Sequence, residues 1–123
     1  MAAFDHVLLL RYALDQRPHV IARGGDSAAL LKELSAALAQ QTGKPESYVM
    51  TLLETAVPMT FAGSPDPCAY VEIKSIGALK PAAMTAAFCE LIEARTGIPA
   101  NRVYVAFEDV KASSWGWNGN TFG

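Results

Sequence analysis

Leu30, Leu31, Leu34, Ala37 and Leu38 recur at three- and four-residue spacing, which places them on one stripe of a helix. The spacing predicts a helix over residues 27–42, with Asp26 or Ser27 able to cap its first turn. Gly43 supplies a left-handed stop, and Pro45 prevents the helix from resuming. Met84, Ala87, Phe88, Leu91 and Ile92 draw the same stripe again, followed by Gly97 and Pro99. After each stop the pattern turns strand-like, over 48–53 and over 103–107. Before the second helix, residues 69–76 set Val71 and Ile73 in alternation with Glu72 and Lys74, as in a half-buried strand. The tail carries Asn118-Gly119, a hairpin turn signal, and predicts a short edge ribbon.

These elements are one unit used twice. At an offset of 54, Thr42, Gly43, Pro45, Val49 and Glu54 fall on Thr96, Gly97, Pro99, Val103 and Glu108. The repeat demands a strand before the first helix as well. Subtracting 54 from the strand before the second helix lands on residues 15–22, where Arg17-Pro18-His19 makes a poor strand. Residues 4–12, with Val-Leu-Leu-Leu-Arg-Tyr, fit better but leave a long connection over 13–25. Residues 1–28 therefore read as an atypical amino-terminal arm and first strand of a single domain spanning 1–123.

Two strand–helix–strand units predict an α+β sandwich: a four-stranded mixed sheet with two helices on one face. Val49, Met50, Leu52 and Leu53, like Val103, Tyr104, Val105 and Phe107, are apolar on both strand parities. Two helices cover only one face, and a sheet apolar on both needs a second layer. Copies of the chain packed sheet to sheet would supply it.

Composition narrows the setting. About half of the 123 residues are hydrophobic and the net charge is −2, which fits a globular domain and gives no basic run for nucleic acid or an anionic membrane. The longest apolar stretch, 103–107, is too short to span a bilayer, and 7–10 makes no convincing signal peptide. A cytoplasmic location is the expectation. Cys68 and Cys89 do not form a Cys-x-x-Cys pair, and Cys89 lies on a helix stripe as a small core residue would. His6 and His19 stand apart from other ligand types, so neither a metal nor another cofactor is expected.

Several segments together resemble the macrophage migration inhibitory factor branch of the tautomerase superfamily. They are Gln41-Thr-Gly-Lys-Pro-Glu-Ser-Tyr-Val-Met, Val57-Pro-Met-Thr-Phe-Ala-Gly-Ser-Pro-Asp-Pro-Cys-Ala, Lys74-Ser-Ile-Gly, Ile98-Pro-Ala-Asn-Arg-Val-Tyr and Gly116-Trp-Asn-Gly-Asn-Thr-Phe. The resemblance implies a homotrimer with sites at subunit interfaces. It also implies keto–enol interconversion of small aromatic 2-oxo acids such as phenylpyruvate, or dopachrome isomerisation, with cytokine-like secretion without a signal peptide in some animal members. Lys44 matches the lysine that meets the substrate carboxylate. Its repeat counterpart is Ile98, so the fold itself does not require a lysine there. Ser75 and Ile76 match the strand end lining the pocket, Tyr104 a tyrosine given by a neighbouring subunit, and Trp117 and Phe122 the apolar walls. Ala106 stands where many relatives carry asparagine, and the repeated Glu54 and Glu108 read as structural.

The family's base is a proline at the start of the mature chain. Proton transfer between carbon and oxygen wants a base with a pKa near ambient pH, and an α-amine lowered by an apolar pocket provides one. Here Met1-Ala2-Ala3-Phe4 opens the chain, and Pro18, the first proline, is internal, so its nitrogen is an amide. The expectation is a pocket with very weak or lost activity, its entry strand lacking the family's length and register. A primary amine on Met1, or on Ala2 once Met1 is removed, could restore part of it provided the amino terminus reaches the pocket. The alternative expectation is a non-enzymatic trimer that binds ligand or protein.

Overall fold

The 54-residue repeat is built into the backbone bond by bond. The structure, a computed structural model, describes residues 6–13 and 24–123. Helix α1 (Gly24–Thr42) ends at Gly43, whose φ of 73° is left-handed and whose N–H donates to Ala39 O at 2.9 Å. The Thr42 hydroxyl donates to Leu38 O at 2.8 Å and accepts from the Lys44 N–H at 3.4 Å. Helix α2 (Pro81–Thr96) ends the same way. Gly97 has φ 79° and donates to Glu93 O at 2.9 Å, while Thr96 Oγ1 donates to Ile92 O at 2.7 Å and accepts from the Ile98 N–H at 3.1 Å. Each threonine satisfies a last-turn carbonyl and a following amide together, which is why Thr-Gly recurs.

After each stop the chain makes one 3-10 turn. Tyr48 N–H donates to Pro45 O at 3.2 Å, and Arg102 N–H to Pro99 O at 2.9 Å. Strands β2 (Val49–Glu54) and β4 (Val103–Asp109) follow, with β3 (Cys68–Ser75) preceding α2. Helix α1 begins earlier than expected, at Gly24, so Asp26 and Ser27 fall within its first turn instead of capping it. Pro81 opens α2, where its missing N–H costs nothing.

The first strand, β1 (His6–Ala13), sits inside the sheet, in the order β2-β1-β3-β4. It pairs parallel with β2 and antiparallel with β3, while β3 and β4 are parallel. Each unit is therefore a parallel β-α-β pair, and the two units meet antiparallel. Phe4, where the strand was expected to begin, and residues 15–22 lie outside the described residues.

Register explains why the offset failed at the front. Val49 pairs with His6 and its counterpart Val103 pairs with Ala69, so β1 precedes β3 by 63 positions, not 54. Nine extra residues lie between β1 and α1. β1 pairs with β3 from His6 opposite Ser75 to Ala13 opposite Cys68, along all of β3. The change is in the connection, not in the strand.

Leu30, Leu34 and Leu38 fall at offset 54 on Met84, Phe88 and Ile92, and all six are fully buried. They pack on Val71 and Ile73 in one cluster, joined by Val49, Leu53, Val105 and Phe107, so both helices cover the same face. Each such side chain stabilises the fold by roughly 1.5–3 kcal/mol. The opposite face leaves Met50 60% and Tyr104 65% exposed, with Leu52 also open. Between them Lys74 pairs with Glu108 at 3.7 Å and Glu72 at 4.0 Å. Among the described side chains of this face, those on β2 are apolar, Tyr104 is aromatic, and Glu72, Lys74 and Glu108 are charged. In the tail β5 (Gly116–Trp117) pairs with β6 (Asn120–Thr121) through Asn118 and Gly119, both left-handed.

Candidate active site

Lys44 leaves the end of α1 toward the end of β3. Its ammonium donates to Ile76 O at 2.6 Å and to Ser75 Oγ at 3.3 Å. Both oxygens are neutral acceptors, and they help to orient the ammonium. Its counterpart Ile98 is fully buried among the core residues. One position of the repeat thus holds a core residue in one unit and an oriented cation in the other.

The acceptors are themselves fixed. Ser75 is fully buried, and its hydroxyl donates to Gly77 O at 2.6 Å. Ser75 O accepts from the Val110 N–H at 2.9 Å, and the Gly77 N–H donates to Asp109 Oδ1 at 3.0 Å. Val49, His6, Ser75 and Asp109 form one row across the sheet, so this edge is where β1 begins, β2 begins and β3 ends.

Trp117 and Phe122 come together, stacked at 5.9 Å between ring centroids. Trp117 also meets Tyr48 edge-on at 5.6 Å. Tyr48 ends the turn that begins just after Lys44, so this aromatic cluster stands at the same end of β2 as the lysine. Trp117 remains 53% exposed, leaving ring surface open to a planar ligand.

Tyr104 lies elsewhere. It is opposite Tyr70, five positions along β4 from Asp109, which is opposite Ser75. At about 3.3 Å per residue that is some 17 Å from the lysine end. It packs on Phe61 at 4.9 Å, and Phe61 lies under the Arg102 guanidinium at 5.3 Å. Arg102 also clamps the preceding loop through Pro67 O, Ser64 O and Asp66 O. One chain therefore brings Lys44, Ser75, Ile76, Trp117 and Phe122 to one end and leaves Tyr104 at the other.

Two grooves flank the bare face. One of about 580 Å³ runs between Leu52, Lys74, Glu108 and Trp115, and one of about 460 Å³ between Phe61, Cys68, Tyr70 and Tyr104. Neither is lined by Lys44. Cys68 and Cys89 are free and buried. Burial, and then the nearby Glu93 carboxylate, push the Cys89 thiol above its ordinary pKa. Among the described residues no group of three His, Cys, Asp or Glu is placed to hold a metal, and no helix is long and apolar enough to cross a membrane.

Sequence reasoning missed Tyr48, Gly77 and Asp109. Tyr48 did leave a signal: its counterpart is Arg102, so the repeat breaks there as it does at Lys44 and Ile98. The link from Gly77 to Asp109 joins residues 32 positions apart and exists only in the fold.

Two β-α-β units joined antiparallel, with both helices on one face and a lysine held at the strand ends, define a tautomerase-fold protein. The comparisons agree. A family model described as macrophage migration inhibitory factor (MIF) matches residues 21–123. The Brugia malayi macrophage migration inhibitory factor homolog is 42% identical over 100 residues, covering 79% of this chain and 87% of that protein. The Xenopus laevis macrophage migration inhibitory factor is 38% identical over 96 residues, covering 76% and 84%. Among solved structures, the Prochlorococcus marinus homologue superposes with a TM-score of 0.83 at 48% identity, over 95% of this chain and 99% of that one. The Toxoplasma gondii protein gives 0.82 at 33% identity, over 94% and 99%. This chain belongs to the macrophage migration inhibitory factor family.

Proposed function

We propose that the protein binds small aromatic 2-oxo acids of the phenylpyruvate type at the Lys44 end of its sheet and acts as a weak keto–enol tautomerase. The observation that carries this reading is the Lys44 ammonium held on Ile76 O and Ser75 Oγ beside Tyr48, Trp117 and Phe122. An oriented ammonium suits a carboxylate, and open aromatic edges suit an aryl ring. Tautomerisation then needs a base to take the proton from the carbon next to the ketone while the oxygen is protonated. In a protein produced with Met1 first, the α-amine offered as base is primary, and we expect slow turnover.

The complete site takes three copies. Tyr104 stands too far from Lys44 to serve it within one chain, and it is exposed on the bare face with Met50 and Leu52. A neighbour packed on that face brings Tyr104 to the lysine end. The second reading, a trimer that binds without turnover, uses the same exposed Met50, Leu52 and Tyr104 and the same lysine end but needs no base. Assaying ketonisation of enol-phenylpyruvate beside direct binding of phenylpyruvate decides between them. Binding with no ketonisation above buffer selects the second reading, and neither binding nor turnover rejects both.

A further inference from the structure

We infer that Asp109, at the end of β4, is a positioning residue for Lys44, acting through the Ile76–Gly77 turn. The inference rests on the reading of Lys44 as the carboxylate-binding group. Gly77 and Ala78 are consecutive left-handed residues, with φ of 70° and 59°. Such a conformation at alanine is strained and persists only where its surroundings hold it. The surroundings here are specific. Asp109 Oδ1 accepts from the Gly77 N–H at 3.0 Å, and the adjacent Val110 N–H donates to Ser75 O at 2.9 Å. These two bonds fasten both sides of Ile76, whose carbonyl takes the ammonium at 2.6 Å. Ser75 Oγ, the other partner of Lys44, donates to Gly77 O at 2.6 Å, so it follows the same turn. These two acceptors of the ammonium thus both depend on where Gly77 sits. Removing the carboxylate frees the Gly77 amide, lets the turn relax and displaces these two acceptors of Lys44. Asparagine keeps an acceptor oxygen in the same place and preserves it.

The test uses the full-length protein and two readouts. The first is the ¹⁵N signal of the Lys44 ammonium, which a fixed hydrogen-bonded group shows and a freely rotating one loses to solvent exchange. We expect it in the native protein and in Asp109→Asn, and expect its loss in Asp109→Ala. The second is affinity for phenylpyruvate against its methyl ester. Asp109→Ala should weaken the acid about threefold to tenfold, the range for one hydrogen bond, and leave the ester unchanged. In a Lys44→Ala background it should weaken neither. An intact ammonium signal in Asp109→Ala, or equal losses for acid and ester, would overturn the inference. Asp109→Leu, which fills the space without an acceptor, serves if the alanine variant does not fold. Should Lys44→Ala itself leave acid affinity unchanged, the functional reading fails, while the ammonium signal still decides whether Asp109 positions the lysine.

Discussion

Lys44 donates to the carbonyl of Ile76 across 32 residues of sequence at 2.6 Å, joining the end of the first repeat's helix to the end of the second repeat's strand. The bond is the point where the two halves stop being copies. A lysine that only complemented the helix dipole would point into water and contribute a few tenths of a kcal/mol. This one is aimed. Lys44→Ala should weaken binding of phenylpyruvate by about 1.5–3 kcal/mol, the range for a hydrogen bond to a charged group. Titration calorimetry on both proteins measures it. Unchanged affinity means that Lys44 is only a helix-end cation.

The repeat turns that difference into a stability prediction. Lys44→Ile and Ile98→Lys are the same exchange made in opposite halves. Ile98 is fully buried, and a lysine there would place an unpaired ammonium in the core. Ile98→Lys should therefore cost several kcal/mol or prevent folding, while Lys44→Ile should change the melting temperature little and weaken ligand binding as Lys44→Ala does. Equal destabilisation by the two exchanges would show that Lys44 is part of the core architecture.

Most of the fold was legible because the packing obeys the repeat. Leu30, Leu34 and Leu38 and their counterparts Met84, Phe88 and Ile92 are both the periodic residues and the buried ones. The Thr-Gly-x-Pro stops were legible because each residue has a local hydrogen-bonding task. The placement of β1 was not legible from the offset, since nine extra residues before α1 break it without leaving a pattern of their own. Lys44, Trp117 and Phe122 were singled out through the resemblance, and Lys44 also through a repeat position that differs; the fold sets Lys44 on Ser75 and Ile76 and stacks Trp117 on Phe122. The support of Lys44 by Asp109 was not legible, because hydrogen bonds between strand ends leave no periodic trace.

The bare face bears on assembly. Met50, Leu52 and Tyr104 are exposed together, while Lys74, Glu72 and Glu108 supply paired charges between them. In light scattering the protein should give about three times the 13.1 kDa mass of the chain. Met50→Lys should shift it toward smaller species, since a charge without a partner is costly to bury. A stable monomer of the native protein at micromolar concentration would remove the shared site from consideration.

The thiols give a pH-dependent reading. Burial and Glu93 raise the Cys89 pKa in the folded chain above its ordinary value of 9.0. The sign follows: between the ordinary and the raised value the unfolded thiol has lost its proton and the folded one has not. The folded state binds more protons there, so the contribution of Cys89 is fully present below 9.0 and is lost as pH rises through the raised folded value. Aromatic disulfide reagents should label Cys68 and Cys89 slowly at pH 8 and rapidly in denaturant. Rapid labelling of the native protein would show that this part of the core opens readily.

Catalysis provides the most exposed prediction. The start of β1 lies opposite Ser75 and Val49, at the edge that carries Lys44, so a residue placed directly before His6 would begin from that edge. A protein with Met1 first should ketonise enol-phenylpyruvate very slowly, because its amine is primary and five residues separate it from His6. A variant in which a single free proline directly precedes His6 should place a secondary amine near the Ser75 end. General-base catalysis contributes typically ~10²–10⁴-fold, so the gain should lie in that range. Adding Lys44→Ala to the proline-led variant should then raise the KM for phenylpyruvate, since the lysine binds substrate while the amine moves the proton. A native rate equal to that of the proline-led variant would show that the base is already present. No gain, with phenylpyruvate still bound, would show that the amine does not reach the reacting carbon and that the protein is a binder first.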